Sequence, residues 1–465
     1  MDILIKNGTI VTSEKTFPGF LFLSDGKIAA CGQEGEGIPD FKQETREIDA
    51  NGMLVIPGGV DPHVHLQMQT QVGLTGDDFR SGSIAALMGG TTTFMDFATP
   101  LPKQPLPDAL EKRIDEARES LIDFSLHIRP SGWYEALESE LKECMQIGAR
   151  TIKMNMAYLE TIGLRPDSVQ KIMHLAAQNN ATVALHAELG EEIEQLRSSY
   201  FSLGNTAPKY HAISRPVYTE TRAVKNLIHM AGDAGCTIYL MHISAGLSLS
   251  EITKARNEGM RVYAETCPHY LLLNDSALDD DFEKASRFVL SPPLRKKDDN
   301  QALWLGLANG AIQTIATDHC PFQQNQKRLG LNDFRKIPNG AGGIEHRMAL
   351  LYTYGVLQNR ITLNKWVELC STAGARIFGL YPRKGSLNPG ADADVVIWNP
   401  TTRQVISAQY HWQRNDNSIY EGMQTTGGPE IVISRGVVVA EKNNLIQPYH
   451  QGRFLRQGNI FQSLS

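Results

Sequence analysis

The sequence has no CxxC pair. Its six cysteines, Cys31, Cys144, Cys236, Cys267, Cys320 and Cys370, are scattered through 465 residues. That spacing spells neither a thiol-ligated structural metal nor a dithiol redox motif, and it fits reduced thiols. Cys320 stands beside Asp318 and His319, and Cys267 lies two residues before His269, but neither has the third orienting group a nucleophile needs. No apolar run approaches the roughly 18 residues of a membrane span. An excess of either charge is also missing. A formal net charge of −6 with pI near 6.1 gives no footing for nucleic acid or an anionic lipid surface as partner. The first residues, MDILIKNGTIVTSEKTF, alternate like a strand and lack the apolar core and cleavage site of a secretion signal. A cytoplasmic location is the expectation, and it deprives the sequons at Asn7 and Asn274 of meaning. Gly340-Ala-Gly342-Gly343 resembles a nucleotide-binding loop, but no strand–helix context precedes it and residue 345 is glutamate.

What is present suits a soluble enzyme of more than one domain: 42% hydrophobic and 21% charged residues over a length that suggests two or three units. The first fifty residues read as short strands, with Asn51-Gly52 as a hairpin turn. From about Pro57, β-rich runs alternate with amphipathic stretches of helical period. Eight such runs are predicted as strands, at 53–65, 91–97, 124–128, 150–156, 182–187, 237–243, 261–265 and 312–318. Helices are predicted between them, at 108–118, 167–178, 220–234 and 248–257, with further ones at 343–354 and 364–378. Eight strands with crossovers make a (β/α)8 TIM barrel, an α/β fold. After Tyr381 the pattern returns to β in GSLNPGADADVVIW and 431–439. The expected organisation is a catalytic barrel at 57–378, a small β-sandwich from 1–56 plus 379–445, and a C-terminal tail at 446–465.

In such a barrel the active site lies at the C-terminal ends of the strands. Five of those ends carry metal-ligand types. The first ends in Asp61-Pro-His63-Val-His65, the fourth contains Lys153, the fifth ends at His186, the sixth at His242 and the eighth at Asp318. Two histidines two residues apart on a strand face the same side and can share one ion, while His186 and His242 come from neighbouring strands and can share another. Lys153 sits inside the apolar run Thr-Ile-Lys-Met. Its ammonium has no lone pair, but the neutral amine can add carbon dioxide and become a carbamate that bridges two cations. The histidines at 127, 174, 229, 269, 319 and 346 read as structural or as supporting the ligands, with His319, next to Asp318, the best candidate for the second role.

The same order of ligands, HxH, lysine, histidine, histidine, aspartate, is the binuclear pattern of the amidohydrolase superfamily, and the chain resembles its dihydropyrimidinase and hydantoinase branch. The likeness runs through residues 58–97, KMNMAY at 153–158, YHAISRP at 210–216, ETCPHYLLL at 265–273, LSPPLR at 290–295, ATDHCPF at 316–322, IPNGAGGIE at 337–345 and LNPGADADVVIW in the β region. It implies hydrolysis of the ring amide of dihydropyrimidines or 5-substituted hydantoins to N-carbamoyl amino acids. It also implies two zinc ions, one on His63, His65 and Asp318 and one on His186 and His242, bridged by carboxylated Lys153 and a hydroxide. Asp318 would shuttle the proton, and Tyr158 would donate to the substrate carbonyl oxygen. Backbone groups at Ser291 and Asn339 would hold the imide edge of a small cyclic ureide. A homotetramer, or a homodimer, is the implied assembly.

The sequence departs from the branch at three places. Asn155 stands where an aromatic is common, Leu159 where a lysine follows the tyrosine, and Ala187-Glu-Leu-Gly-Glu191 replaces Ala-Glu-Asn-Gly-Asp. These touch the substituent pocket, whose wall is expected from the loop Leu66–Leu74 and the stretch Asn155–Ile162. Dihydroorotases place an arginine two residues after the second histidine, and here Gln67 stands there. Allantoinase, or another cyclic ureide hydrolase, shares the ligand set and is the alternative. Tyr158 in its Met-Ala-Tyr context favours the hydantoinase reading. Non-catalytic collapsin-response-mediator-like scaffolds have lost ligands that are all kept here.

Overall fold

The computed structural model describes residues 2–37, 44–158 and 161–458. The chain begins with five strands, β1 (Ile3–Val11), β2 (Thr16–Ser24), β3 (Lys27–Gln33), β4 (Arg46–Asp49) and β5 (Leu54–Pro57). It then enters the barrel through β6 (Gly59–Asp61), and a small hairpin follows, β7 (Gln69–Thr70) and β8 (Gly73–Leu74). Seven more barrel strands come next: β9 (Thr91–Ala98), β10 (Asp123–Ile128), β11 (Thr151–Asn155), β12 (Thr182–His186), β13 (Thr237–Leu240), β14 (Val262–Thr266) and β15 (Thr314–Ile315). The C-terminal region adds β16 (Val395–Val405), β17 (Gln424–Ser434), β18 (Val437–Glu441) and β19 (Asn444–Leu445).

The barrel strands are parallel and lie in the order β15-β14-β13-β12-β11-β10-β9-β6. Strands buried on both faces read as continuous apolar runs, as β9 (TTTFMDFA, wholly buried) does. The ring closes between its first and last members without a regular ladder. Thr317 donates to Asp61 from its backbone at 3.2 Å and its hydroxyl at 2.6 Å, and the His65 N–H donates to the His319 carbonyl at 2.8 Å. Because these side-chain bonds replace ladder bonds, regular pairing covers only Thr314–Ile315 of the predicted 312–318 run. The predicted 53–65 run is likewise two strands. β5 pairs with β1 and β16, and the chain crosses to the barrel at Gly58, where a Cβ would meet Thr92 Oγ1 at 2.1 Å.

Strands from both chain ends join one nine-stranded sheet among the described residues, in the order β19-β18-β17-β16-β5-β1-β2-β3 with β4 on β1. Ile5, Leu21, Val55, Val395, Ile397 and Ile433 meet in its own apolar core. Buried Lys384 ties this sheet to the barrel by donating to Asp123 at the start of β10 (2.7 Å) and to Asp394 (2.6 Å). Beyond the sheet the chain runs under the barrel: Leu455 donates to the Phe124 carbonyl and accepts from the Ser125 hydroxyl. With Phe378 and Tyr239, Leu455 packs among the interior residues Val60, Met95, Phe97 and Ala184. That end is plugged, so the strand C-termini form the open mouth of the barrel.

Candidate active site

The strand ends deliver their ligand-type side chains to one place. His63 Nε2 lies 3.1 Å from His65 Nε2 and 3.1 Å from Asp318 Oδ1, and His65 Nε2 lies 3.2 Å from the same oxygen. His186 Nδ1 and His242 Nε2 are 3.1 Å apart. The two sets adjoin, since donor atoms of His63, His242 and Asp318 all fall within 4.8 Å of one another. Ligand atoms around a tetrahedral cation with bonds of about 2.0–2.2 Å sit about 3.3–3.6 Å apart, so these spacings approach the edges of a coordination polyhedron.

The hydrogen-bond partners decide whether the donors suit a metal. Buried Glu265 places Oε1 2.6 Å from His63 Nδ1, and buried Glu188 places Oε2 2.7 Å from His186 Nε2. Each carboxylate takes the N–H of its imidazole, which leaves His63 Nε2 and His186 Nδ1 bearing lone pairs. His63 Nε2 then faces the Asp318 carboxylate, and two acceptors this close repel unless a proton or a metal cation lies between them. His242 Nδ1 is buried without a hydrogen-bond partner. The donor set therefore fits divalent metal.

Protonation agrees. Burial holds His65, His186 and His242 below the usual imidazole range, against the pull of Asp318 and Glu188 on their neighbours, and metal ligation requires neutral rings. Burial pushes the Asp318 carboxyl up, but the surrounding His63, His65 and His242 hold it well below the usual carboxylate range. Lys153 is buried beside Met241, with Nζ 2.8 Å from the sulfur and 5.7 Å from the Phe97 ring centroid. Desolvation lowers its amine to about 7 despite Glu265 and Asp318, so much of it is neutral at neutral pH. His242 and Asp318 have φ of 40° and 49°, a left-handed conformation that non-glycine residues adopt at some cost.

Beside His186 stands a group of three half-buried residues. Asn339 Nδ2 donates to the Ser291 hydroxyl at 3.0 Å and to the Tyr158 hydroxyl at 3.4 Å. The Tyr158 ring sits 5.5 Å from that of His186, and the Arg215 guanidinium lies 5.4 Å from the Tyr158 ring centroid while donating to Glu188 at 2.6 Å. Asn155 is buried on the same strand face as Lys153. Leu159 lies outside the described residues.

Leu66 does not belong to the cleft. It lies in the turn that follows His65, and its fully buried side chain packs over Gly82 of the helix Phe79–Met88. His319 reaches the site through its backbone, as the acceptor of His65 N–H. Its ring is turned to Asp77 (3.1 Å) and accepts from Gly343 N–H (3.1 Å).

Sequence reading missed Glu265, Glu188, Arg215 and Lys327. Glu265 accepts from His63, from the His242 N–H (3.1 Å) and from the Tyr239 hydroxyl (2.6 Å). A glutamate near the end of a buried parallel strand is itself a signal, since the carboxylate is costly to bury without such partners. Lys327 is buried and donates to the carbonyls of Pro338 and Gly340 (both 2.8 Å) and Val289 (3.3 Å), on the segments that carry Asn339 and Ser291. Burial lowers its amine to about 7.

A parallel barrel with convergent imidazoles, an aspartate and a buried lysine at its mouth defines a metal-dependent hydrolase class. The comparisons are specific. The amidohydrolase family profile matches residues 54–439. A D-hydantoinase of Geobacillus stearothermophilus is 38% identical over 98% of this chain and 97% of its own. A dihydropyrimidinase of Arabidopsis thaliana is 35% identical over 97% of this chain and 85% of its own. Among solved structures, the dihydropyrimidinase from Brevibacillus agri NCHU1002 superposes with a TM-score of 0.96 at 35% identity, covering 99% of each chain. The chain belongs to the amidohydrolase family, in its dihydropyrimidinase and hydantoinase branch. It is a hydrolase of carbon–nitrogen bonds in cyclic amides. Among the described residues no helix is long and apolar enough to cross a membrane.

Proposed function

We propose that this enzyme opens the ring of neutral cyclic ureides, dihydropyrimidines or 5-substituted hydantoins, to N-carbamoyl amino acids. Two zinc ions would be held by His63, His65 and Asp318 on one side and by His186 and His242 on the other, with carboxylated Lys153 between them. The observation that carries this reading is the convergence of lone pairs from two carboxylate-oriented imidazoles on Asp318 and a buried, partly neutral lysine. Carbon dioxide adds to the neutral Lys153 amine, an N–C bond forms and a proton leaves, which turns an ill-placed cation into an anionic ligand. When bound, the metal pair supplies Lewis acidity, polarising the scissile carbonyl and acidifying water.

The chain's own groups do the rest. Asp318 accepts the attacking water's proton and returns it to the leaving ring nitrogen. The Tyr158 hydroxyl donates to the carbonyl oxygen as negative charge develops there, and Asn339 holds that hydroxyl. Backbone groups at Ser291 and Asn339 grip the imide edge, so a ring is chosen by its ureide edge and its lack of charge. The barrel (57–378) would carry this chemistry, and the 1–56 plus 379–445 unit with the 446–465 tail would supply contacts for a homotetramer or homodimer. A cytoplasmic setting goes with this reading.

Metal analysis of purified protein, followed by turnover of hydantoin, 5-substituted hydantoins, dihydrouracil, allantoin and dihydroorotate, tests it. Two equivalents of metal per chain and opening of hydantoins or dihydrouracil are expected. Activity that survives complete metal removal, or a preference for allantoin or dihydroorotate, overturns it.

A further inference from the structure

A second group of ligand-type side chains lies apart from the centre described above. Glu345 and His346 follow the Gly343–Ile344 backbone that caps the His319 ring, and His411 comes from the segment between β16 and β17. Donor atoms of the three lie within 4.8 Å of one another, and all three line a cavity of about 260 Å³.

The hydrogen bonds point both imidazoles the same way. His411 Nε2 lies 2.8 Å from the Asn415 carbonyl, which takes its proton and leaves Nδ1 with a lone pair. That Nδ1 is 3.3 Å from Gln413 Nε2, and His346 Nε2 is 3.1 Å from the same amide nitrogen. Gln413 is nine-tenths buried, and in this orientation its Oε1 has no hydrogen-bond partner. Asn415 Oδ1 lacks a partner too, and both oxygens flank bare Gly342, 2.5 and 3.3 Å from where its Cβ would stand. The Gln413 NH2 thus sits among three acceptors, the two imidazole nitrogens and the Glu345 carboxylate, and turning the amide over brings Oε1 there in its place. Three acceptors would then stand 3.1 and 3.3 Å apart along two edges, close to the 3.1–3.2 Å spacings of His63, His65 and Asp318. Such an arrangement is repulsive when empty and favourable around a cation.

We propose that Glu345, His346, His411 and Gln413 form a further metal site, separate from the catalytic centre, for one borderline divalent cation such as Zn2+, Ni2+ or Cu2+. Two imidazoles, a carboxylate and an amide oxygen are the donors such ions take, and calcium or magnesium would find too few oxygens. The His411–Asn415 carbonyl bond is the outer contact that fixes a ligating imidazole's tautomer. The cation clips the 411–413 segment onto the barrel at 345–346, so its binding stabilises the folded chain in proportion to its occupancy. The proposal is independent of what the enzyme hydrolyses.

The test uses the metal-loaded full-length enzyme, dialysed to equilibrium at fixed free Zn2+, with His346→Ala and His411→Gln as separate variants. His411 is half-buried on a connecting segment, so its variant keeps the test usable if His346→Ala fails to fold. Wild type should hold one equivalent more than either variant, whatever the total. Its thermal midpoint should rise on adding Zn2+ beyond catalytic loading, and that rise should vanish in the variants. Equal metal content in wild type and a folded variant, or a Zn2+-dependent rise that the variants keep, overturns the site.

Discussion

Glu265 Oε1 stands 2.6 Å from His63 Nδ1, across 202 residues of sequence, and so decides which nitrogen of that ring is free to ligate. The same oxygen accepts from the His242 N–H, so one carboxylate orients members of both ligand pairs. In Glu265→Gln the amide cannot serve every donor as an anion does. Metal affinity should fall about 10–100-fold, the scale of lost outer contacts to ligands. Residual metal after dialysis against graded chelator measures it. Wild-type retention would remove Glu265 from the site.

Asp318→Asn keeps an oxygen ligand and the side chain's shape but cannot accept a proton. Turnover should drop at least about a hundredfold with metal content largely kept. A near-normal rate would mean that another group carries the proton.

Asn155 faces the same side of β11 as Lys153, at the position where the family resemblance leads one to expect an aromatic. Restoring one in Asn155→Phe should favour an aryl substituent by on the order of 1 kcal/mol. The ratio of kcat/KM for a 5-aryl hydantoin over unsubstituted hydantoin should rise accordingly. An unchanged ratio would place the substituent elsewhere.

Lys327 binds the carbonyls of Val289, Pro338 and Gly340 together. Lys327→Met fills the space but leaves those carbonyls without their donor, so the segments carrying Ser291 and Asn339 should separate. KM should rise about tenfold or more while kcat changes less, given about 1–3 kcal/mol for each buried acceptor left unmet. A fall in kcat alone, with KM unmoved, would contradict a positioning role.

Glu345 offers a pH test. Burial raises its carboxyl to about 8, against the opposing hydrogen bond from the Trp412 backbone N–H. The folded chain thus keeps a proton that the unfolded chain releases near the ordinary glutamate range. Its contribution to stability is full at acid pH and is lost as pH rises through about 8. In metal-stripped buffer, the thermal midpoint of Glu345→Gln relative to wild type should improve steadily from pH 5 to pH 8.5. A constant difference would show that the carboxyl titrates normally.

The candidate ligand residues and the barrel were legible in the sequence for the same reason. Metal chemistry needs particular side chains, and a parallel barrel must present them at strand ends, each on a β-rich run with period-2 facing. His63, His65, Lys153, His186, His242 and Asp318 could be named from that logic. Leu66 escaped that logic, because it lies in a turn beyond β6 and tertiary packing against Gly82 decides where it points. Other features had no local pattern. The pairing of Glu265 with His63, of Arg215 with Glu188 and Tyr158, and of Lys327 with two distant segments depends on barrel closure and on how connecting segments fold over its mouth. His242 and Asp318 are aimed by left-handed backbone, which histidine and aspartate adopt more readily than most residues but which nothing local assigns to these two positions. The cluster of Glu345, His346 and His411 joins a barrel segment to one from the C-terminal sheet region, a contact only the tertiary structure makes. Residue type set what chemistry was available, and packing across distant segments decided which atoms carry the lone pairs.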